Sequence, residues 1–270
     1  MKNKLMILMF ALLLSGWQGL AQTMQEDLQY LASDELKGRE IGTEGEKAAA
    51  KYLAKRFKKI GLEPKGTNGY YQEFSVKPQY NPHARVPVDT SKAIEGRNVI
   101  GYIDNGAPTT VIIGAHFDHL GMGGEGSLYE GDDLQIHNGA DDNASGVTVL
   151  LHLADWLQGK YPHNNYLFIA FSGEEKGLWG SGWFTKHPTI DLSTVNYMIN
   201  MDMVGRLSAD KELAVYGSGT SPAWHPMLDE IGKELGFKLK FHPSGVGPSD
   251  HTSFYLKDMP VLHFFTGQHE

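Results

Sequence analysis

Five side chains in this sequence have the chemistry of metal ligands: His116, Asp142, Glu175, Asp202 and His251. Each stands in a short phrase: Gly-Ala-His-Phe-Asp at 114–118, Gly-Ala-Asp-Asp-Asn-Ala-Ser-Gly at 139–146, Ser-Gly-Glu-Glu at 172–175, Asn-Met-Asp-Met at 200–203 and Ser-Asp-His at 249–251. Imidazole nitrogen and carboxylate oxygen are donors that zinc accepts, and a catalytic site keeps one position open for water. Two ions about 3.5 to 4 Å apart form a clamp for hydrolysis, and a carboxylate that reaches both holds the pair together. With one Asp shared, five ligands supply three to each ion. Taken singly the phrases say little: His-x-Asp recurs by chance, Glu-Glu is usually a solvated face and Asp-Asp-Asn is often a turn. The signal lies in all five together, with Gly114, Gly139, Gly146 and Gly173 where backbone must turn or approach closely.

The elements that must position these residues are legible in the apolar pattern. Runs at 98–103, 110–115, 166–171, 196–201 and 261–265, bounded by Gly, Asn or Asp, read as buried strands. Thr43 with Glu46 has the form of a capping box, and Ala49, Tyr52, Leu53, Phe57 and Ile60 follow at helical spacing until Gly61. Further helical patterns cover 145–157 and 222–235. Strands alternating with helices predict an α/β fold, a sandwich of helices around a mostly parallel sheet. In such sheets ligand sites form outside the carboxyl ends of the strands. His116 and Asp118, Glu174 and Glu175, and Asp202 all follow predicted strands, Asp142 lies where a loop enters a helix, and His251 lies just before Phe254, Tyr255 and Leu256.

The bulk properties agree with one domain. The chain has 270 residues, of which 41% are hydrophobic and 21% charged, enough for one substantial core. Lys2 and Lys4, the apolar run 5–14 and the small residues up to Ala21 have the three zones of a secretory signal peptide, so residues 1–21 are expected to be removed and 22–270 to form the catalytic domain. The expected location is periplasmic or extracellular, with no membrane segment in the mature form, because the apolar run is short of the roughly 20 residues a span needs. There is no cysteine, which excludes disulfides and thiolate metal sites. The net charge of −8, or −10 without Lys2 and Lys4, argues against nucleic acid as a partner. Nothing in the sequence sets the oligomeric state.

From about Leu28 onward the chain resembles the di-zinc aminopeptidases of metallopeptidase family 28, and the phrase Leu31-Ala-Ser-Asp-Glu-Leu-Lys-Gly-Arg39 resembles the start of its secreted bacterial members. The resemblance implies a three-layer α/β/α sandwich of the phosphorylase/hydrolase-like type and two zinc ions. It implies that His116 and Asp202 serve one ion, Glu175 and His251 the other, and that Asp142, four residues before Gly146, bridges them. It also implies a cis peptide between Asp142 and Asn143, and Glu174 as general base. Glu174 is next to Glu175 and in an extended segment points elsewhere, so it is free to move a proton. Asp118 is placed to hold the second nitrogen of the His116 imidazole. The implied partners are peptides with a free N-terminus.

His119, His137, His152, His225, His242, His263 and His269 read as solvated or core histidines, Arg206 as a substrate contact or a structural ion pair, and 121–133 as a surface loop. Members of the family continue past the last strand with a His- and Asp-containing loop and a long helix. Here the sequence stops at Glu270, five residues after Phe265, and is read as incomplete. Rival readings are a glutaminyl cyclase with one zinc, a carboxypeptidase or deacylase on the same metal site, and a non-enzymatic binding module. The uninterrupted Ser-Gly-Glu-Glu-Lys-Gly-Leu-Trp-Gly-Ser phrase at 172–181 resembles the peptidases, and a module would be expected to have lost ligands.

Overall fold

In the computed structural model, which describes residues 24–78, 90–124, 126–131 and 133–268, the five apolar runs become neighbours in one nine-stranded sheet. The signal-peptide segment and His269 lie outside the described residues. The strands are β1 (Glu63–Pro64), β2 (Tyr71–Val76), β3 (Ile94–Ile103), β4 (Thr110–His116), β5 (Asn165–Phe171), β6 (Val195–Met201), β7 (Glu212–Tyr216), β8 (Lys238–His242) and β9 (Val261–Phe265). Their order is β1-β3-β5-β4-β6-β9-β7-β8, with β2 also on β3. The centre, β5-β4-β6-β9, is parallel. Antiparallel pairing of β3 with β5 and of β7 with β9 makes the whole sheet mixed.

Every residue of β4 and β5 is buried. That is why these strands read as continuous apolar runs rather than alternations: both faces are covered. On one face lie α1 (24–31), α2 (Glu44–Ile60), α3 (Gly146–Trp156) and α5 (Trp224–Leu235). On the other lie α4 (Trp179–Lys186) and α6 (His251–Tyr255), with Phe184 and Phe254 against Ile112, Ile169 and Met198. The result is the expected three-layer sandwich. Each fully buried Leu, Ile or Phe contributes about 1.5 to 3 kcal/mol, so the two cores beside the sheet supply the stability that disulfides would otherwise add.

α2 begins where the sequence places it, with the Thr43 hydroxyl accepting the Glu46 N–H at 3.3 Å, and it ends at Gly61 with φ 94°. The reciprocal half of the box is not formed. Glu46 is instead buried, accepting from the Ser172 hydroxyl at 3.1 Å and facing Arg97 Nε at 3.5 Å. Burial pushes its carboxyl up to about 7, against the pull of Arg97. Four strands have no clear sequence signal: β1 and β2 pair only with β3, β8 is an edge strand with alternating exposure, and β7 lies between β9 and β8. Among the described residues no helix is long and apolar enough to cross a membrane.

Candidate metal centre

Because β4, β5 and β6 run parallel and side by side, their carboxyl ends open onto one rim. His116 is the last residue of β4 and is buried. Its Nδ1 stands 3.2 Å from the main-chain carbonyl of Asp118. With Nδ1–H donating there, the Nε2 lone pair faces the rim. Nε2 is 3.2 Å from Asp142 Oδ1, 3.3 Å from Asp202 Oδ1 and 4.0 Å from Glu174 Oε2. Asp118 therefore reaches the imidazole through its backbone carbonyl, with its carboxylate Oδ1 3.7 Å from the same nitrogen. Its carboxylate accepts the Glu174 N–H at 3.1 Å and so fixes the start of the Glu-Glu turn.

Asp142 sits in the turn 140–145, whose approach demands glycine: a Cβ on Gly139, at φ 58°, would come within 2.3 Å of Asp142 O and 2.6 Å of the His119 ring. The Asp142–Asn143 peptide is cis. The Asn143 amide donates to Met201 O at 2.9 Å, and its oxygen accepts from Gly146 N–H at 2.9 Å and Met203 N–H at 3.2 Å, joining this turn to the end of β6. Asp141 faces away and accepts from Gly205 N–H at 2.8 Å. Asp142, not Asp141, faces the imidazoles.

The described residues hold two groups of an imidazole with two carboxylates whose donor atoms lie within 4.8 Å of one another: His116, Glu174 and Asp202, and His119, Asp142 and Glu175. They adjoin through Asp142 Oδ1, which is 3.2 Å from His116 Nε2 and 4.0 Å from His119 Nδ1. Two ligand atoms each about 2.0 to 2.2 Å from a tetrahedral zinc stand roughly 3.3 to 3.6 Å apart. The spacings from His116 to Asp142 and to Asp202 are close to that requirement, so these donors fit an ion beside His116, and Glu174 Oε2 stands farther from the imidazole, at 4.0 Å. On the other side His119 Nδ1 and Glu175 Oε1 are in direct contact at 2.6 Å.

The electrostatics are those of an acidic cluster that favours positive charge. Burial pushes the Glu174 carboxyl up to about 10; His116 opposes the rise, while Asp250, Asp202 and Asp118 add to it. Burial also acts to raise Asp202, but the charge and hydrogen bond of His116 outweigh it and hold the carboxyl near 2. Burial acts against a charged His116, yet Asp202 and Glu174 lift it well above its ordinary value. A proton on His116 and a divalent cation answer the same field.

Of the five expected ligands, His116, Asp142, Glu175 and Asp202 converge, and His251 does not join them. It opens α6, fully buried, with its ring stacked on His263 at 4.4 Å and 3° and neither ring nitrogen hydrogen-bonded. Burial lowers it to about 3, His263 adding and Asp202 opposing. Ser249 is the residue of that phrase that reaches the rim, donating to Asp202 Oδ2 at 2.7 Å. His119, read from the sequence as solvated or core, is the imidazole beside Glu175. Its only sequence signal is its place three residues after His116. Arg206 is exposed. A cavity of about 570 Å³ opens over the centre, acidic at Asp142, Glu174, Glu175 and Asp202 and apolar at Met203, Tyr216, Pro248 and Phe265.

Residues 98–270 match the model of peptidase family M28, and the chain belongs to that family. It is 32% identical over 145 residues to "Aminopeptidase YwaD" of Bacillus subtilis (strain 168), covering 52% of this chain and 31% of that protein. It is 29% identical over 174 residues to the "Alkaline phosphatase isozyme conversion protein" of Escherichia coli (strain K12), covering 64% and 48%. The chain thus spans about a third to a half of the length of these relatives. The fold is shared with a zinc aminopeptidase from Bacillus subtilis at TM-score 0.69 and 19% identity, covering 93% of this chain and 86% of that one. It is shared also with Porphyromonas gingivalis glutaminyl cyclase at TM-score 0.66 and 17% identity, covering 91% and 83%.

Proposed function

We propose that the protein is an exported zinc-dependent aminopeptidase that removes N-terminal residues from peptides. The observation that carries this reading is the placement of Asp142 Oδ1 between two imidazoles, with His116 Nε2 at tetrahedral spacing from Asp142 and Asp202. His116, Asp142 and Asp202 would hold one zinc ion, and Asp142 and Glu175 the second with His119 as its imidazole in place of His251. When bound, the ions lower the pKa of water and polarise a carbonyl. Glu174, 4.0 Å from His116 Nε2 and not assigned as a ligand, would take the proton from the attacking water and return it to the leaving amine. Burial raises its affinity for a proton, which suits the second half of that task. The acidic end of the cavity suits a free α-ammonium group, and the apolar end at Met203, Tyr216 and Phe265 suits the side chain that precedes the scissile bond. The export reading rests on residues 1–21, and the catalytic domain on 22–270.

The test compares an aminoacyl anilide with its N-acetylated form and with an N-terminal glutaminyl peptide, before and after chelation. Hydrolysis of the free amine alone, lost on chelation and restored by zinc, is the expected result. Equal hydrolysis of the acetylated form would replace the reading by a deacylase or carboxypeptidase. Ring closure of the glutaminyl peptide without hydrolysis, at one ion per chain, would replace it by a cyclase.

A further inference from the structure

Arg39 is fully buried, and no described hydrogen bond of its guanidinium goes to a carboxylate. The residues that deliver it are in an unusual conformation: Lys37, Gly38 and Arg39 are all left-handed, at φ 46°, 71° and 50°. Side-chain-bearing residues avoid that region unless surrounding contacts impose it. The contacts are close, since a Cβ on Gly38 would stand 2.3 Å from Gly121 O, and the Gly121 N–H donates to Gly38 O at 3.1 Å. This turn threads Arg39 beneath the 117–121 segment.

The guanidinium donates through Nε to Phe117 O at 2.7 Å, through Nη1 to Leu31 O and to Asn138 O at 2.7 Å, and through Nη2 to Gly139 O at 3.0 Å. Phe117 stands between His116 and Asp118, and Asn138 and Gly139 lead into the turn that carries Asp142. The main-chain carbonyl of Arg39 accepts the His119 N–H at 3.4 Å. One residue is thus joined to the backbone of both strand-end ligands and loop ligands, on two segments that have no sequence continuity. Only a planar fork with five donors can span those carbonyls at once; an ammonium cannot. Its positive charge faces the carboxylates of Asp118, Asp142 and Glu175 without touching any of them.

We propose that Arg39 is the positioning residue of the metal centre: through its hydrogen bonds to Phe117 O, Asn138 O and Gly139 O it fixes the distance between the His116 strand end and the Asp142 turn. The inference rests on the metal-centre reading above. It predicts that Arg39 sets metal affinity and coordination geometry, beyond any part in holding the fold. Outer groups that orient metal ligands typically change affinity by about 10- to 100-fold when removed.

The experiment measures zinc affinity by competition with a chromogenic chelator, the visible spectrum of the cobalt(II) form, and thermal unfolding, for the full chain and for Arg39→Met and Arg39→Lys. The expected result is a cooperative melt in both variants, zinc affinity lower by about 10- to 100-fold in Arg39→Met, a smaller loss in Arg39→Lys, and an altered cobalt spectrum in both. If Arg39→Met does not fold, Arg39→Lys decides by the same measurements. Folded variants with wild-type affinity and spectrum overturn the proposal. Failure of both to fold assigns Arg39 to the fold instead and overturns it equally. A wild-type chain that binds no ion removes the metal-centre reading itself, and this inference with it.

Discussion

The two sides of the metal centre are built differently. On the His116 side, two of the three donors stand at or directly after the ends of β4 and β6, and Asp142 is tied to β6 through Asn143. On the other side, His119 and Glu175 stand in turns three and four residues beyond the ends of β4 and β5. His116 stands 3.2 Å from turn-borne Asp142 and 3.3 Å from strand-borne Asp202, whereas His119 and Glu175 are in hydrogen-bond contact at 2.6 Å. A central parallel strand cannot move without breaking pairing on both edges, but a turn can. The difference teaches that strand ends hold donors more firmly than turns do, and on the two-ion reading proposed above the ion at His116 should bind more tightly than the ion at Glu175.

The strongest way to break that contrast is to remove what the two sides share. Asp142→Ala should take the bound metal below two ions per chain at saturation. A metal ion supplies several kcal/mol of transition-state stabilisation, so the activity should fall by about 10³-fold or more. Metal analysis showing two ions in this variant would mean that the sides are independent. Glu174→Gln separates chemistry from binding: both ions should remain while the rate falls by roughly 10² to 10⁴. Glu175→Gln should instead lose the weaker ion, and if the two variants lose metal equally the division of labour between these neighbours is incorrect.

A smaller effect distinguishes the imidazoles. His116→Ala should weaken the tighter ion and His119→Ala the weaker one, each by calorimetric titration, while His251→Phe should leave both affinities near wild type. Loss of an ion in His251→Phe would return that histidine to the ligand set.

The smallest expected effect concerns acid stability. The folded pKa of His251 is about 3, below its ordinary value of 6.5. The unfolded chain therefore takes up the proton first, and this residue's share of stability is present above pH 6.5 and lost as the pH falls toward 3. His251→Phe should give a shallower acid limb in denaturant titrations across that window, and an unchanged limb would show that the ring is not held neutral by burial.

Much of this site was readable before any coordinates. Continuous apolar runs located β4, β5, β6 and β9 within a residue or two, except that β3 begins four residues earlier than its run, because a buried parallel strand has no polar alternation to blur its ends. Since ligands in such sheets gather at carboxyl ends, position points to the phrases around His116, Glu174 and Glu175, and Asp202, while the choice of Asp142 over Asp141 and of Glu175 over Glu174 as ligands comes from the family resemblance. The resemblance places His251 in the ligand set, whereas the structure puts His119 beside Glu175 and stacks His251 on His263; both residues border polar phrases, and only the direction of the ring separates them. The α6 start turns His251 into the core against His263, while Ser249 takes the contact with Asp202. β1, β2, β7 and β8 have no counterpart in the sequence reading because strands of two to six residues are too short to set a period.

The sequence by itself determined the layered α/β class, the rim on which chemistry sits and the kind of donors it offers, because burial on both faces and strand polarity are local consequences of residue type and order. Tertiary structure alone decided which imidazole faces which carboxylate, that Glu46 leaves its capping role for Ser172 and Arg97, and that Arg39 lies beneath the whole arrangement. Those outcomes depend on distances between segments about 25 to 130 residues apart, and no spacing along the chain encodes them.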